Sequence, residues 1–230
     1  MSELRLLTYN VRSLRDDADA VAAVIRACRP DVVAVQEAPR FLRWRSKRAA
    51  LARSSGLVVA TANRTGGLLI MTTLAVQVRA TRFTLLPKTP KLHQRAVCVA
   101  DLTVGGADWT VASVHLSLDD AERQQHLTPL WAALEQRHGA LVVAGDVNER
   151  PQGKVWAQLG ERLQDAWAVA GSGHGNTYGS RNPHKRIDGI FVDRSVEVVE
   201  CRSIDEVADG GRDILGRASD HLPVLAVLRQ

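Results

Sequence analysis

The sequence predicts an α/β (α+β) protein in which two packed sheets carry helices on their outer sides. Three observations predict it. Apolar runs rich in Val, Leu and Thr recur at hairpin spacing between Gly or Pro turns. A few intervening stretches carry apolar residues at helical spacing. The runs also stop repeatedly on one polar residue each, at Asn10, Glu37, His115 and Asp146, as if several strand ends were aimed at one place. In a chain of 230 residues this mixture fits one layered domain, 1–230, with no second domain. Hydrophobic residues at 45% and charged residues at 24% suit a soluble core, and no apolar run approaches the ~20 residues needed to span a bilayer.

Taken in order, Leu6-Leu7-Thr8-Tyr9-Asn10 is a strand ending on an amide. Asp16 to Cys28 has Ala20, Val21, Val24 and Ile25 on one helical face, with Asp16 or Asp17 as cap and Pro30 as stop. Val32 to Glu37 is a strand ending on a carboxylate. Arg40 to Ser54 is a basic amphipathic helix, with Phe41, Leu42, Trp44 and Leu51 among six cationic residues. It is either a solvated basic face or a platform for phosphates beside the Glu37 end, and both can hold together. Leu57–Ala62, Gly67–Thr72, Ala75–Leu86 and Arg95–Val104 read as successive strands. Asp108–His115 is the next, ending on an imidazole and leading into a helix from about Asp119 to His138 with Leu127, Leu130, Trp131 and Leu134 inward. Gly171 to Arg186 is a polar, glycine-rich segment, a substrate-contacting loop or a mobile one, that delivers Tyr178 and Arg186 just ahead of a strand starting at Asp188. A second polar loop, Asp205 to Arg217, precedes Ser219-Asp220-His221 and the last strand.

The positive charge is +5 and almost entirely arginine, the lysines being only Lys47, Lys88, Lys91, Lys154 and Lys185. Arginine suits bidentate phosphate contacts, although the same composition follows from genomic base bias. Cys28, Cys98 and Cys201 are odd in number, widely spaced and set in apolar surroundings, which predicts reduced core thiols and excludes a zinc spacing. With no secretory leader pattern at the N-terminus, these thiols predict a cytoplasmic protein.

The stretch Leu141-Val142-Val143-Ala144-Gly145-Asp146-Val147-Asn148 is a buried strand that stops at an Asp-x-Asn pair. In an extended segment alternate side chains share a face, so Asp146 and Asn148 can point together into a cleft beyond the strand. Alone, such a pair is also what a plain turn uses.

The full set is more specific. Thr8-Tyr9-Asn10-Val11-Arg12, Gln36-Glu37, Ser113-Val114-His115-Leu116, Gly145-Asp146-Val147-Asn148, Arg186-Ile187-Asp188 and Ser219-Asp220-His221-Leu222-Pro223-Val224 run from the first strand to the last. This ordered set resembles the endonuclease/exonuclease/phosphatase superfamily. Arg12 and His115 resemble its deoxyribonuclease I side rather than the abasic-site endonuclease branch, which has an acidic residue and a tyrosine at those places.

The resemblance implies a four-layer α/β/β/α sandwich, two mainly antiparallel sheets face to face with helices outside and the site at one end. It implies Glu37 as the main magnesium ligand, with manganese as a substitute, and Asn10 and Asp220 near the metal. Asp146 would orient or deprotonate the attacking water, and Asn148 would hold a phosphate oxygen. His221, hydrogen-bonded to Asp188, and His115 would stabilise charge on the phosphoryl group or protonate the leaving oxygen. No acidic partner for His115 is evident between Ser54 and Thr72. Arg95 resembles a phosphate-contacting arginine of the family.

The division of roles also follows from the reaction. A phosphodiester is anionic and repels a nucleophile, so a site needs a hard cation held by carboxylates and a positioned water. Neutral or positive donors must relieve the nonbridging oxygens. The expected function is therefore a metal-dependent phosphodiesterase, a nuclease acting on DNA or RNA through backbone phosphates and working as a monomer. Arg12, Arg95, Tyr178 and Arg186 are its expected substrate contacts. The alternatives are a phosphatase or phosphodiesterase for a phosphorylated small molecule or lipid headgroup and, in another class, a noncatalytic nucleic-acid-binding domain.

Overall fold

The computed structural model describes residues 2–61, 63–208 and 211–230. One sheet contains β1 (Glu3–Asn10), β2 (Val32–Gln36), β3 (Val58–Val59), β4 (Leu69–Thr72), β10 (Gly171–Ser172), β12 (Glu197–Ser203) and β13 (Val224–Arg229), in the order β10-β12-β13-β1-β2-β4-β3. The other contains β5 (Gln77–Leu85), β6 (Ala96–Val104), β7 (Ala107–His115), β8 (Ala140–Asp146), β9 (Gln164–Asp165) and β11 (Asp188–Val192), in the order β5-β6-β7-β8-β11-β9. Neighbours are antiparallel except for β1 with β2, β7 with β8, and β10 with β12.

The two-residue period of the strands sorts their side chains into layers. Leu4 and Leu6 of β1, Val32 and Ala34 of β2, Trp109 and Val111 of β7 and Val142 and Ala144 of β8 fill the space between the sheets. Their alternates Leu7, Tyr9, Val33 and Val35 face outward under α1 (Ala18–Cys28), α2 (Trp44–Ser54) and α7 (Asp213–Ala218). On the far side, Val97, Val99, Ala112 and Val143 lie under α3 (Asp120–Gln125), α4 (Leu127–Leu134) and α5 (Lys154–Arg162). A short α6 (Ala166–Ala170) puts Ala166 and Trp167 against the inter-sheet core. The four expected layers are therefore present.

Several boundaries differ from the sequence reading, each for a local reason. The helix expected over Asp119–His138 is two helices meeting at His126, since Pro129 has no N–H for the carbonyl four residues back. The strand expected over Leu57–Ala62 is regular only at Val58–Val59, with one further bond from the Ala60 N–H to the Ile70 carbonyl (2.9 Å), and Ala62 lies outside the described residues. The segment Asp205–Arg217 is not all loop: α7 buries Leu215 and Ala218 against the α1 side, while Asp209 and Gly210 lie outside the described residues. The basic helix starts at Trp44, leaving Phe41 and Leu42 exposed ahead of it. One of its arginines is no surface charge at all. Arg48 is buried and donates to the carbonyls of Pro39, Asn63 and Leu68, tying α2 to the loop before β4.

Candidate active site

The strand parity that puts Leu6, Ala34, Val111, Ala144 and Ile190 between the sheets carries polar residues into the same gap at one end: Thr8, Asn10, Gln36, Ser113, His115, Asp146 and Asp188. The register then places them side by side. Asn10 pairs with Gln36, His115 with Asp146, and Asp146 with Asp188. Gly145 is what lets β8 approach β7 there, because a Cβ at that position would sit 1.9 Å from the Val114 carbonyl oxygen.

A polar belt separates the apolar core from the cleft. Thr8 Oγ1 donates to Gln36 Oε1 (3.2 Å), and Gln36 Nε2 donates to Ser113 Oγ across the sheets (3.2 Å). Sequence reasoning assigned these three residues nothing. The signal was present as a second polar residue two positions before each site residue on β1 and β7, at Thr8 and Ser113.

Above the belt a cleft of about 450 Å³ is lined by Glu37, Arg95, His115, Asp146, Asn148, Tyr178, Asp220 and His221, among others. Asp146 is its hub. Its Oδ2 accepts from Asn10 Nδ2 (3.0 Å) and lies 3.4 Å from His115 Nε2 and 3.8 Å from His221 Nε2. Burial beside Asp188 raises the Asp146 pKa, an effect opposed by His221, Asn10 and the Asn148 N–H.

The two imidazoles are both buried and differ in their partners. His221 Nδ1 is 2.8 Å from Asp188 Oδ2. Burial opposes charging this ring, but Asp188, helped by Asp146 and Asp220, overcomes it and raises the pKa to about 10. His115 Nδ1 has no hydrogen-bond partner among the described residues, and the ring meets an acid only through Nε2, at Asp146. Burial, with the positive charges of Arg95 and His221 nearby, holds its pKa well below the usual value.

Glu37 lies one residue beyond β2 with φ 50, a left-handed conformation held by Ser13 N–H donating to its carbonyl (2.8 Å) and Ala38 N–H donating to Gly67 O (2.7 Å). Its Oε1 is 3.4 Å from Asn10 Nδ2. Asn10 Oδ1 accepts from the Arg12 N–H (3.1 Å), so the side of this amide facing the carboxylates is its nitrogen. Among the described residues, the acidic and imidazole groups whose ligand atoms approach one another within 4.8 Å are Asp146, Asp188 and His221, and Asp188 Oδ1 has no hydrogen-bond partner. Arg95 is 9% exposed, and no hydrogen bond or ion pair among the described residues takes up its guanidinium. Burial lowers its pKa, and Asp146 and Glu37 act against that.

Two expectations, on Arg186 and on the backbone at Asn148, need correction, and two others are placed more closely. Arg186 faces away from the cleft: its guanidinium makes two bonds to Asp165 (3.1 and 2.8 Å) and is stacked between Trp156 (4.7 Å) and Trp167 (4.9 Å). Arg12 is engaged by Asp16 (3.1 Å) and Asp220 (3.4 Å) and lines a neighbouring cavity of about 620 Å³ that meets the cleft at Asp220. Asn148 does not continue the strand: at φ 55 it turns back, its N–H donating to Asp146 Oδ1 (2.9 Å) and its Nδ2 to Leu116 O (3.0 Å). Of the two alternatives for the Gly171–Arg186 segment, its second half fits the substrate-contacting one: Tyr178 and Lys185 line the cleft, and Tyr178 bridges to both Lys185 and His221, with its ring 5.1 Å from the His221 ring.

A sandwich whose open end gathers carboxylates, two imidazoles in opposite protonation environments and a buried arginine is a frame for hydrolysing an anionic ester. Residues 7–221 match the model of the endonuclease/exonuclease/phosphatase family, and the chain belongs to it. Members are hydrolases acting on phosphoester bonds, typically with a divalent metal. An endonuclease/exonuclease/phosphatase from Bacteroides vulgatus superposes with TM-score 0.81 at 20% identity, over 100% of this chain and 99% of that one. A mannosyl-6-phosphatase from Bacteroides thetaiotaomicron gives 0.80 at 14% identity, over 99% and 100%. TDP2 of D. rerio, complexed with a single-strand DNA product, gives 0.77 at 20% identity over the whole of both chains. At these identities the likeness is one of fold. A search of curated proteins returned no match. No described helix is long and apolar enough to cross a membrane.

Proposed function

We propose that the protein is a metal-dependent phosphodiesterase that hydrolyses nucleic acid by in-line attack of water. The observation that carries this reading is Arg95, a buried cation without a partner among the described residues, in the cleft that also holds Asp146 and both imidazoles. A cation so placed suits the oxygens of a phosphoryl group. Glu37 and Asp220 line the cleft beside Asp146, and their hard carboxylate oxygens suit magnesium, with manganese as substitute. Glu37 would hold the ion, with Asp220 near it and Asn10 orienting the Glu37 carboxylate through its amide nitrogen. Bound there, the ion would supply neutralisation of phosphoryl charge.

Asp146 would take the proton of the attacking water, a role its raised pKa favours. His221, charged and held by Asp188, would donate to the oxygen on which charge develops. His115, neutral, would donate from one ring nitrogen to a nonbridging oxygen. Asn148 would hold a phosphate oxygen, and Tyr178 would fix the His221 ring by its edge contact. The protein would act as a monomer, and three buried free thiols suit the cytoplasm.

Purified protein should nick supercoiled plasmid in magnesium, and fail to do so in EDTA or as Asp146→Asn. A cleft of about 450 Å³ also suits a phosphorylated small molecule. If plasmid survives in both magnesium and manganese while a sugar phosphate is hydrolysed, that second reading replaces the first. Activity on nucleic acid should fall steeply with salt, whereas activity on a small phosphate should not.

A further inference from the structure

Arg95 stands at the base of a connection, residues 86–95, that joins β5 to β6 and is long for a hairpin, where about 2–5 residues are usual. The base is closed from within. Leu86 N–H donates to the Arg95 carbonyl (3.0 Å), and Gln94 Nε2 donates to the carbonyls of Leu86 (2.7 Å) and Arg95 (2.9 Å). Residues 87–91 are exposed, and an exposed loop of this length is mobile unless something holds it. Among the described residues, two hydrogen bonds tie its outer part to the rest of the protein, and both come from the helices that follow His115. Glu122 Oε1 of α3 accepts from the Thr89 N–H (2.5 Å). His126, where α3 meets α4, places Nε2 3.0 Å from the Pro87 carbonyl; a carbonyl only accepts, so that nitrogen carries the proton and donates. Both side chains are buried, at 1% and 0% exposure. Burial raises the Glu122 pKa, but the hydrogen bonds it accepts outweigh this and leave it lowered, so the carboxylate is ionised. Burial also dominates at His126, where it lowers the pKa and keeps the ring neutral. Such groups are costly to bury, and here both are directed at the backbone of one exposed loop.

We propose that Glu122 and His126 are positioning residues: by holding the β5–β6 loop at Thr89 and Pro87 they fix the place of Arg95, and with it the phosphoryl-binding wall of the cleft. The proposal rests on Arg95 as the phosphoryl contact, which the nuclease and small-phosphate readings share. Neither Glu122 nor His126 lines the cleft, so each acts on turnover through the loop. The Arg95 guanidinium has no partner among the described residues, which leaves its place to its backbone and to packing. It feels the charge of Glu122, as of Asp146 and Glu37, against the larger effect of its burial. A displacement of about 1 Å at such a group is enough to cost a large factor in rate. Chain order explains the arrangement: β7 delivers His115 to the cleft, and α3, which starts at Asp120, grips the loop that delivers Arg95.

The test is a double-mutant cycle on kcat/KM in magnesium, with a labelled oligonucleotide as substrate or, if that is not cut, a sugar phosphate. Glu122→Ala/His126→Ala should lower kcat/KM about tenfold or more when Arg95 is present, and less than about twofold in the Arg95→Ala background. Glu122→Gln and His126→Gln keep an acceptor for Thr89 and a donor for Pro87, and should return kcat/KM to within about threefold of wild type. Hydrogen exchange over residues 87–94 should quicken in the alanine pair and stay near wild type in the glutamine variants. If the alanine pair does not fold, Thr89→Pro, which removes the donor from the exposed side of one bond, takes its place in the cycle. Equal losses with and without Arg95 would overturn the positioning role and leave the proposed reaction intact, as would faster exchange of the loop with unchanged kinetics. Wild-type protein that hydrolyses neither substrate in magnesium or manganese would remove the proposed reaction and the positioning role with it.

Discussion

The two flanks of the cleft use the same side chain to opposite ends. On one, His221 is clamped to Asp188 at 2.8 Å and carries charge; on the other, His115 has no partner for Nδ1 among the described residues and feels the positive charge of Arg95. Both rings reach the same Asp146 oxygen, at 3.8 and 3.4 Å. Partner, not burial, decides protonation, since burial is the largest effect on both pKa values and pushes both down. A cleft flanked by one charged and one neutral imidazole can support a donor and a carboxylate base at the same pH.

Removing the shared hub should have the largest effect. Asp146→Asn should lower turnover about a thousandfold or more while far-UV circular dichroism and melting stay near wild type; retained turnover in a folded variant would sink the site. Breaking one flank comes next. His221→Ala should slow the chemical step about a hundredfold and cost about 3 kcal/mol in urea denaturation, because Asp188 is left buried and unpaired.

The contrast between the rings should also be visible in stability measured with chelator present. The His221 pKa is raised from 6.5 to about 10, so its contribution is fully present below about pH 6.5 and is lost as pH rises toward 10. The His115 pKa is lowered, so the unfolded chain takes up a proton the folded one refuses, and stability declines as pH falls below about 6.5. His221→Gln should flatten the alkaline limb and His115→Gln the acid limb. An unchanged pH profile in both variants would show that the two rings do not differ as described. The smallest effect is expected away from the cleft: Arg186→Lys gives up a bidentate pair and two indole contacts, and should cost about 1–2 kcal/mol in thermal denaturation with kcat within about twofold.

Those magnitudes follow what was legible in the sequence. Strand ends marked by a single polar residue could be read directly, because period-two alternation carries a core-facing position into the cleft without any knowledge of the partner strand. The pairing of His221 with Asp188 came only through the family resemblance. Arg186 was misplaced because its neighbour Asp188 points inward, while its own partners, Asp165, Trp156 and Trp167, come from an earlier stretch that carried no sequence reading. Arg48 looked like one more charge on a basic helix, since its acceptors are backbone carbonyls that carry no side-chain signature. Arg12 was read as a substrate contact with the help of the resemblance, and Asp16 and Asp220 hold it where the neighbouring cavity meets the cleft.

The left-handed backbone at Glu37 sets fold against function at a single residue. A non-glycine residue there costs about 1 kcal/mol relative to an ordinary conformation, and asparagine tolerates it better than glutamate. Glu37→Asn should therefore melt at the same temperature as wild type or slightly above it, while needing far more magnesium for whatever turnover survives. The chain keeps at this corner a residue that folding alone would not choose.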